Sequence, residues 1–240
     1  MGCDIHAFAE VRDRSTAPWR LITEGFVSGY YHPDKTEKDS YFDQDEFKNG
    51  IHPIDIRNYD AFAILANVRN GCGFAGVVTA ETCFPHISDN RGFPDDASDE
   101  LSRRSDEDYD DLWLGDHSFT WVTLAELEVF PWMDTITKCG YVNVEDRKKM
   151  LANPLGMPDN WSGDVYGGRV VKVSVEELDE LIAHPEFMVS GKSYYTLVSW
   201  EVSYAYTAGQ LYESTIPALR KLVTGNMTPD DVRIVMGFDS

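Results

Sequence analysis

The sequence predicts an α+β fold: a largely antiparallel sheet with several short helices and long irregular loops. Three observations lead there. Strand-like stretches follow one another directly in some places and are separated by helical stretches in others. Two Ser/Thr-x-x-Glu boxes mark helix starts. Gly-, Pro- and Asp-rich segments too long for simple turns lie between them.

The opening alternates. Asp4, His6, Phe8 and Glu10 fall on one face of a strand over residues 4–10, and Ile5, Ala7, Ala9 and Val11 on the other. Glu10 on the polar face reads as ordinarily exposed. A Ser-, Thr- and Pro-containing turn at 15–18 leads to a second strand at 19–23, a hairpin pattern. Residues 28–56 read as an extended polar and aromatic loop. Tyr59, Phe62, Ala63, Ala66 and Val68 then recur at helical spacing, with Asn58 as cap, Arg69 in the last turn and a stop at Asn70-Gly71.

Residues 71–98 read as irregular, and Ser98 as the cap of a following helix. A strand is expected at 117–122, with Ser118 and Thr120 on one face and His117, Phe119 and Trp121 on the other. Thr123 to Glu126 forms a capping box for a short helix. Residues 131–164 are mixed, with helix near 145–151. A β-branched strand at 169–173 precedes a second capping box, Ser174 to Glu177, whose helix Pro185 stops. A long aromatic strand is expected at 194–206, then a helix capped by Ser214, then a closing apolar strand at 233–238. No linker divides the chain, so residues 1–240 are expected to form a single domain.

The chain has 41 acidic residues against 21 Lys plus Arg, a net charge of −20. That sign opposes binding to nucleic-acid polymers, whose phosphates need Lys and Arg, and to anionic membranes. Eleven acids lie between Asp89 and Asp116, facing three Arg. This run is either a solvated face or a cation-collecting rim beside a site. No signal peptide or membrane span is recognisable, and His6 stands where a myristoylation motif wants Ser or Thr. Cys3, Cys72, Cys83 and Cys139 have no CxxC spacing and read as reduced thiols of a cytoplasmic protein.

Phosphate-loop, dinucleotide, HExxH and GxSxG signatures are absent, so the chemistry rests on looser clusters. Asp4 and His6 share a strand face, which suits a metal or a carboxylate-assisted imidazole. Asp116, His117 and Ser118 open the strand after the acidic run. Arg91 is a cationic candidate for a phosphate, with Arg57 and Arg69, which bracket the Tyr59 helix, as the others; Asp95 with Asp96 could bind a divalent cation. Trp200 and Tyr204, at strand spacing, could stack on a base or serve as core.

The string Met1-Gly2-Cys3-Asp4-Ile5-His6 resembles the opening of a family of small phage and prophage proteins. The likeness continues at 59–69, 91–98, 116–118 and 232–240. It implies a phage accessory setting and a counter-defence role, in which cyclic-nucleotide signals are degraded or sequestered. The expectation is therefore a phosphodiesterase for a small anionic nucleotide. His6 and His117 would be its acid/base pair, with Asp4 orienting one of them. Arg69, Arg91, Ser118, Trp200 and Tyr204 would bind substrate. If the enzyme is metal-dependent, Asp4, His6, Asp116 and His117 are the ligands. The alternatives are a non-catalytic nucleotide sponge and an acidic DNA mimic or protein-binding inhibitor. The cofactor and the oligomeric state stay open, a divalent metal being the one candidate.

Overall fold

A computed structural model describes residues 2–31, 48–71, 83–103 and 112–239. The fold is α+β, with an antiparallel sheet of four strands and a mixed sheet of three. The chain groups into two compact units, residues 1–133 with 205–240, and residues 134–204. No Gly- or Ser-rich linker marks either junction in the sequence.

The first unit is built on the order β2-β1-β7-β3. Strand β1 (Asp4–Val11) forms a hairpin with the two-residue β2 (Arg20–Leu21). Strand β7 (Val232–Asp239) lies between β1 and β3 (His117–Thr123) and is antiparallel to both. Its run Val232 to Phe238 is buried throughout, as the apolar closing segment predicts for a central strand. Register sorts the side chains. Asp4, His6, Phe8 and Glu10 of β1 stand opposite Asp239, Gly237, Val235 and Arg233 on one face; Ile5 and Ala7 stand opposite Phe238 and Met236 on the other.

Helix α1 (Tyr59–Ala66) covers the second face, where Phe62 meets Phe238 edge-on at 5.4 Å. Asn58 caps it by accepting the N–H groups of Asp60 and Ala61, as its sequence promises. The helix stops earlier than expected. Asn67 adopts a left-handed conformation at φ 58°, so Arg69 lies beyond the helix rather than in its last turn. The first face packs on Phe8, Leu101, Leu112, Leu114 and Val235. Here α2 (Asp99–Ser102) is capped by Ser98, and α3 (Leu124–Val129) by the Thr123/Glu126 box.

Glu10 corrects a sequence expectation. It is fully buried, not exposed. Its carboxylate accepts from Arg233 Nε at 2.9 Å and from the Ser98 N–H at 2.7 Å. The alternation identified its face but not the segment at 93–102 that covers it.

The second unit holds β4 (Thr135–Asn143), β6 (Ser193–Ser203) and β5 (Val170–Lys172), in the order β4-β6-β5. Strand β4 was hidden within the mixed stretch, although its buried Ile136, Gly140 and Val142 alternate with more exposed neighbours. Helices α4 (Val144–Ala152) and α5 (Val175–Ala183) are joined by Arg147, which donates twice to Asp179 at 2.9 and 2.8 Å. The Ser174/Glu177 box caps α5 as expected.

Strand β6 ends at Ser203, and Tyr204 already begins α6 (Tyr204–Ala208). A π-helical turn (Leu211–Thr215) leads into α7 (Ile216–Leu222). Ser214 therefore lies inside helical backbone. Its hydroxyl donates to the Gln210 carbonyl instead of capping.

Candidate active site

The sheet of the first unit brings Asp4 and His6 to the end of β1, beside the last residues of β7. Their main partner is Asp239, which the sequence reading did not single out. His6 Nε2 lies 3.2 Å from Asp239 Oδ2, and the Asp4 N–H donates to Asp239 Oδ1 at 3.2 Å. Both side chains of the dyad are about one quarter exposed, 24% and 28%. The carboxylate fixes the imidazole orientation and favours a proton on Nε2, leaving Nδ1 to exchange a proton with a ligand.

Trp113 stacks obliquely on His6 with ring centroids 4.5 Å apart, and the indole is half-exposed. Arg57 completes the cluster. Its Nε donates to Asp4 Oδ1 at 2.9 Å and its Nη2 to Asp4 Oδ2 at 2.6 Å, a two-pronged pair about half open to water. The Arg57 hydrogen bonds hold the Asp4 carboxyl below its ordinary range. Gly2 lies directly beside this pair. A side chain there would displace the Arg57 guanidinium.

His117 is placed elsewhere. It pairs with Phe238, on the α1-covered face, and its ring stacks on Phe238 at 6.3 Å. His6 pairs with Gly237 on the opposite face. The two imidazoles reach the same end of the sheet, two strands or about 10 Å apart, on different faces. The expected acid/base pair is not assembled, and Asp4 serves Arg57 rather than either imidazole.

The cause is a β-bulge. Between the pairs His117–Phe238 and Thr120–Met236, β3 carries one extra residue, and Ser118 takes φ 53°. That inverts the expected facing: His117 shares a face with Thr120, while Phe119 sits over Gly237 on the other. Ser118 Oγ lies 2.9 Å from His117 Nδ1. Asp116 is tied down through its backbone, donating to the Phe238 carbonyl at 2.8 Å.

Among the described residues, no three His, Cys, Asp or Glu side chains gather into a group that could hold a metal. Asp4, His6, Asp116 and His117 therefore do not form one ligand set. Asp96, also weighed as a cation ligand, accepts from Arg233 Nη1 at 2.8 Å and from Trp19 Nε1 at 2.9 Å.

The remaining candidates scatter. Arg91 forms a two-pronged pair with Glu126 at 3.1 and 2.6 Å and lies over the Trp121 ring. Like Arg57 it is held by a carboxylate, and its side chain is the less open of the two, 29% exposed against 49%. Arg69, at φ 59°, stands 6.0 Å from the Tyr59 ring centroid. Trp200 is buried in β6 and meets Trp161 edge-on at 5.6 Å. The backbone N–H of Tyr204 donates to the Asp134 carbonyl. Of the acidic run, residues 104–111 lie outside the described residues, and Asp89 pairs with His86 at 2.8 Å. Cys72 and His32 also lie outside them.

Among the described residues no helix is long and apolar enough to cross a membrane. Comparison with protein-family models, curated proteins and solved structures finds no match.

Proposed function

We propose that the protein is a phosphodiesterase for a small signalling nucleotide, acting in a phage accessory setting in the host cytoplasm. The observation that carries this reading is the cluster at one end of β1 and β7: a His6–Asp239 dyad, the exposed indole of Trp113 and the guanidinium of Arg57. An exposed indole suits a base, a guanidinium suits a phosphate, and a carboxylate-held imidazole suits proton transfer. In this scheme His6 Nδ1 takes a proton from the attacking water as the new P–O bond forms, and later returns it to the hydroxide left when the departing oxygen is protonated. The bond to the leaving oxygen breaks, and that oxygen is protonated from water. Arg57 faces the charge that develops on the phosphate.

The test is incubation of the pure protein with cyclic di- and trinucleotides, with and without EDTA. Cleavage of one of them, lost by a factor of about 10²–10⁴ in His6→Ala, is the expected result. Absence of product from all of them sinks the hydrolase reading.

One observation favours sequestration instead. His117, the expected partner in proton transfer, lies on the other face from His6 and Trp113. A sponge would release intact nucleotide after heat denaturation, and Trp113→Ala and Arg57→Gln would each weaken its binding. Recovery of converted nucleotide excludes it.

A further inference from the structure

The second unit carries a cluster that the nucleotide reading leaves unused. The Lys172 ammonium, on edge strand β5, donates to Asp164 Oδ1 at 2.6 Å. It lies 4.5 Å from the centroid of the Tyr141 ring and 5.5 Å from that of Tyr166. Two tyrosine faces and a carboxylate around an ammonium are the elements with which proteins recognise cationic side chains. We propose that Asp164, Tyr141 and Tyr166 form a cage for a lysine side chain of a basic protein partner, with Lys172 as its resident stand-in.

Four features argue for exchange rather than a mere structural tie. The cage is open: Asp164 and Lys172 are 41% and 42% exposed and Tyr166 is 81% exposed, so the ring contributes little packing where it stands. An exposed ion pair of this kind adds little to stability. The loop bearing the cage is held independently of Lys172, through Ser162 paired with Tyr141 at one end and the Lys192 ammonium on the Gly168 carbonyl at the other. Leu197, exposed and directly opposite Tyr141 in the register, gives the cage an apolar rim of the sort that lines interfaces. The charge of −20 would draw a basic partner toward this surface. An Asp carboxyl without Lys172 beside it titrates at about 4 and is still ionised for an incoming cation at physiological pH.

The tethered ammonium competes at an effective concentration on the order of millimolar or above. Removing it should therefore expose the cage. The probe is an N-acetylated Gly-Lys-Gly amide, followed through the tyrosine ring signals by NMR. Lys172→Ala should bind it at least about tenfold more tightly than the native protein. Asp164→Asn added to Lys172→Ala should abolish the gain, and the Nε-acetylated peptide should not bind. Lys172→Gln provides a second opened cage should the Ala variant fold poorly. Equal binding by native and opened proteins overturns the proposal, as does binding indifferent to Asp164 or to acetylation.

Discussion

The β1–β7 pair places ionisable side chains at both ends of one face, and the two ends treat them differently. At one end Glu10 and Arg233 are enclosed, and Arg233 reaches both Glu10 and Asp96. Trp19 lies 3.9 Å from its guanidinium and Trp121 5.7 Å. Arg12 also lies over Trp19, at 4.4 Å, and Arg91 over Trp121, at 4.8 Å, so each indole meets two guanidinium groups. Each of these arginines has its own carboxylate: Asp231, Glu10 and Glu126. At the other end Arg57 pairs with Asp4 and His6 with Asp239, and all are partly open to water. A closed, fully paired network specifies the fold. An open one with a half-covered imidazole retains capacity for a ligand.

Glu10→Ala should give the largest stability effect. It strands the buried Arg233 guanidinium and should cost about 3–5 kcal/mol, measured by denaturant unfolding. The matching change at the open end, Arg57→Gln, should cost less than about 1 kcal/mol in the same measurement, because its pair is exposed. A similar loss at both ends would erase the distinction. Between these lies the bulge. Ser118→Val puts a β-branched residue at φ 53° and should cost about 1–2 kcal/mol, while Ser118→Gly should be near neutral.

Acid gives a finer contrast. Burial pushes the Asp96 carboxyl up, but hydrogen bonds from Arg233 and Trp19 outweigh it and leave it below its ordinary range. Asp4 is also lowered, first by its bonds from Arg57. A depressed folded value means the contribution is full above the unfolded carboxylate range and fades as pH falls through the folded one. Native protein should therefore lose stability below about pH 4. Asp96→Asn should flatten that loss more than Asp4→Asn, because Asp96, although 63% exposed, accepts from the buried Arg233 guanidinium and from Trp19.

Much of the fold was legible because its signals are local. The Asn58 cap, both capping boxes and the alternation at Asp4–Val11 each need only a few adjacent residues. The site was legible in part. Asp4 and His6 declared themselves by sharing a strand face. Asp239 lies 233 residues from His6, and Arg57 53 from Asp4, so only the β1–β7 register and the approach to α1 bring them in. Glu10 was misread because period two assigns a face without saying what packs on it. The His117 facing was misread because a serine in left-handed conformation leaves no sequence mark, and one extra residue inverts every side chain before it. Arg91 has the right chemistry for phosphate and, like Arg57, is held by a carboxylate, but it lies over Trp121 at the closed end of the face rather than beside His6.

The contrast between the ends reduces to one comparison: nucleotide cleavage by His6→Ala and by Arg91→Gln, each assayed well below its own unfolding temperature. The open end as the working site predicts that His6→Ala loses turnover by about 10²–10⁴ while Arg91→Gln keeps it within a few-fold. Full turnover in His6→Ala, or its loss in Arg91→Gln alone, would contradict the account.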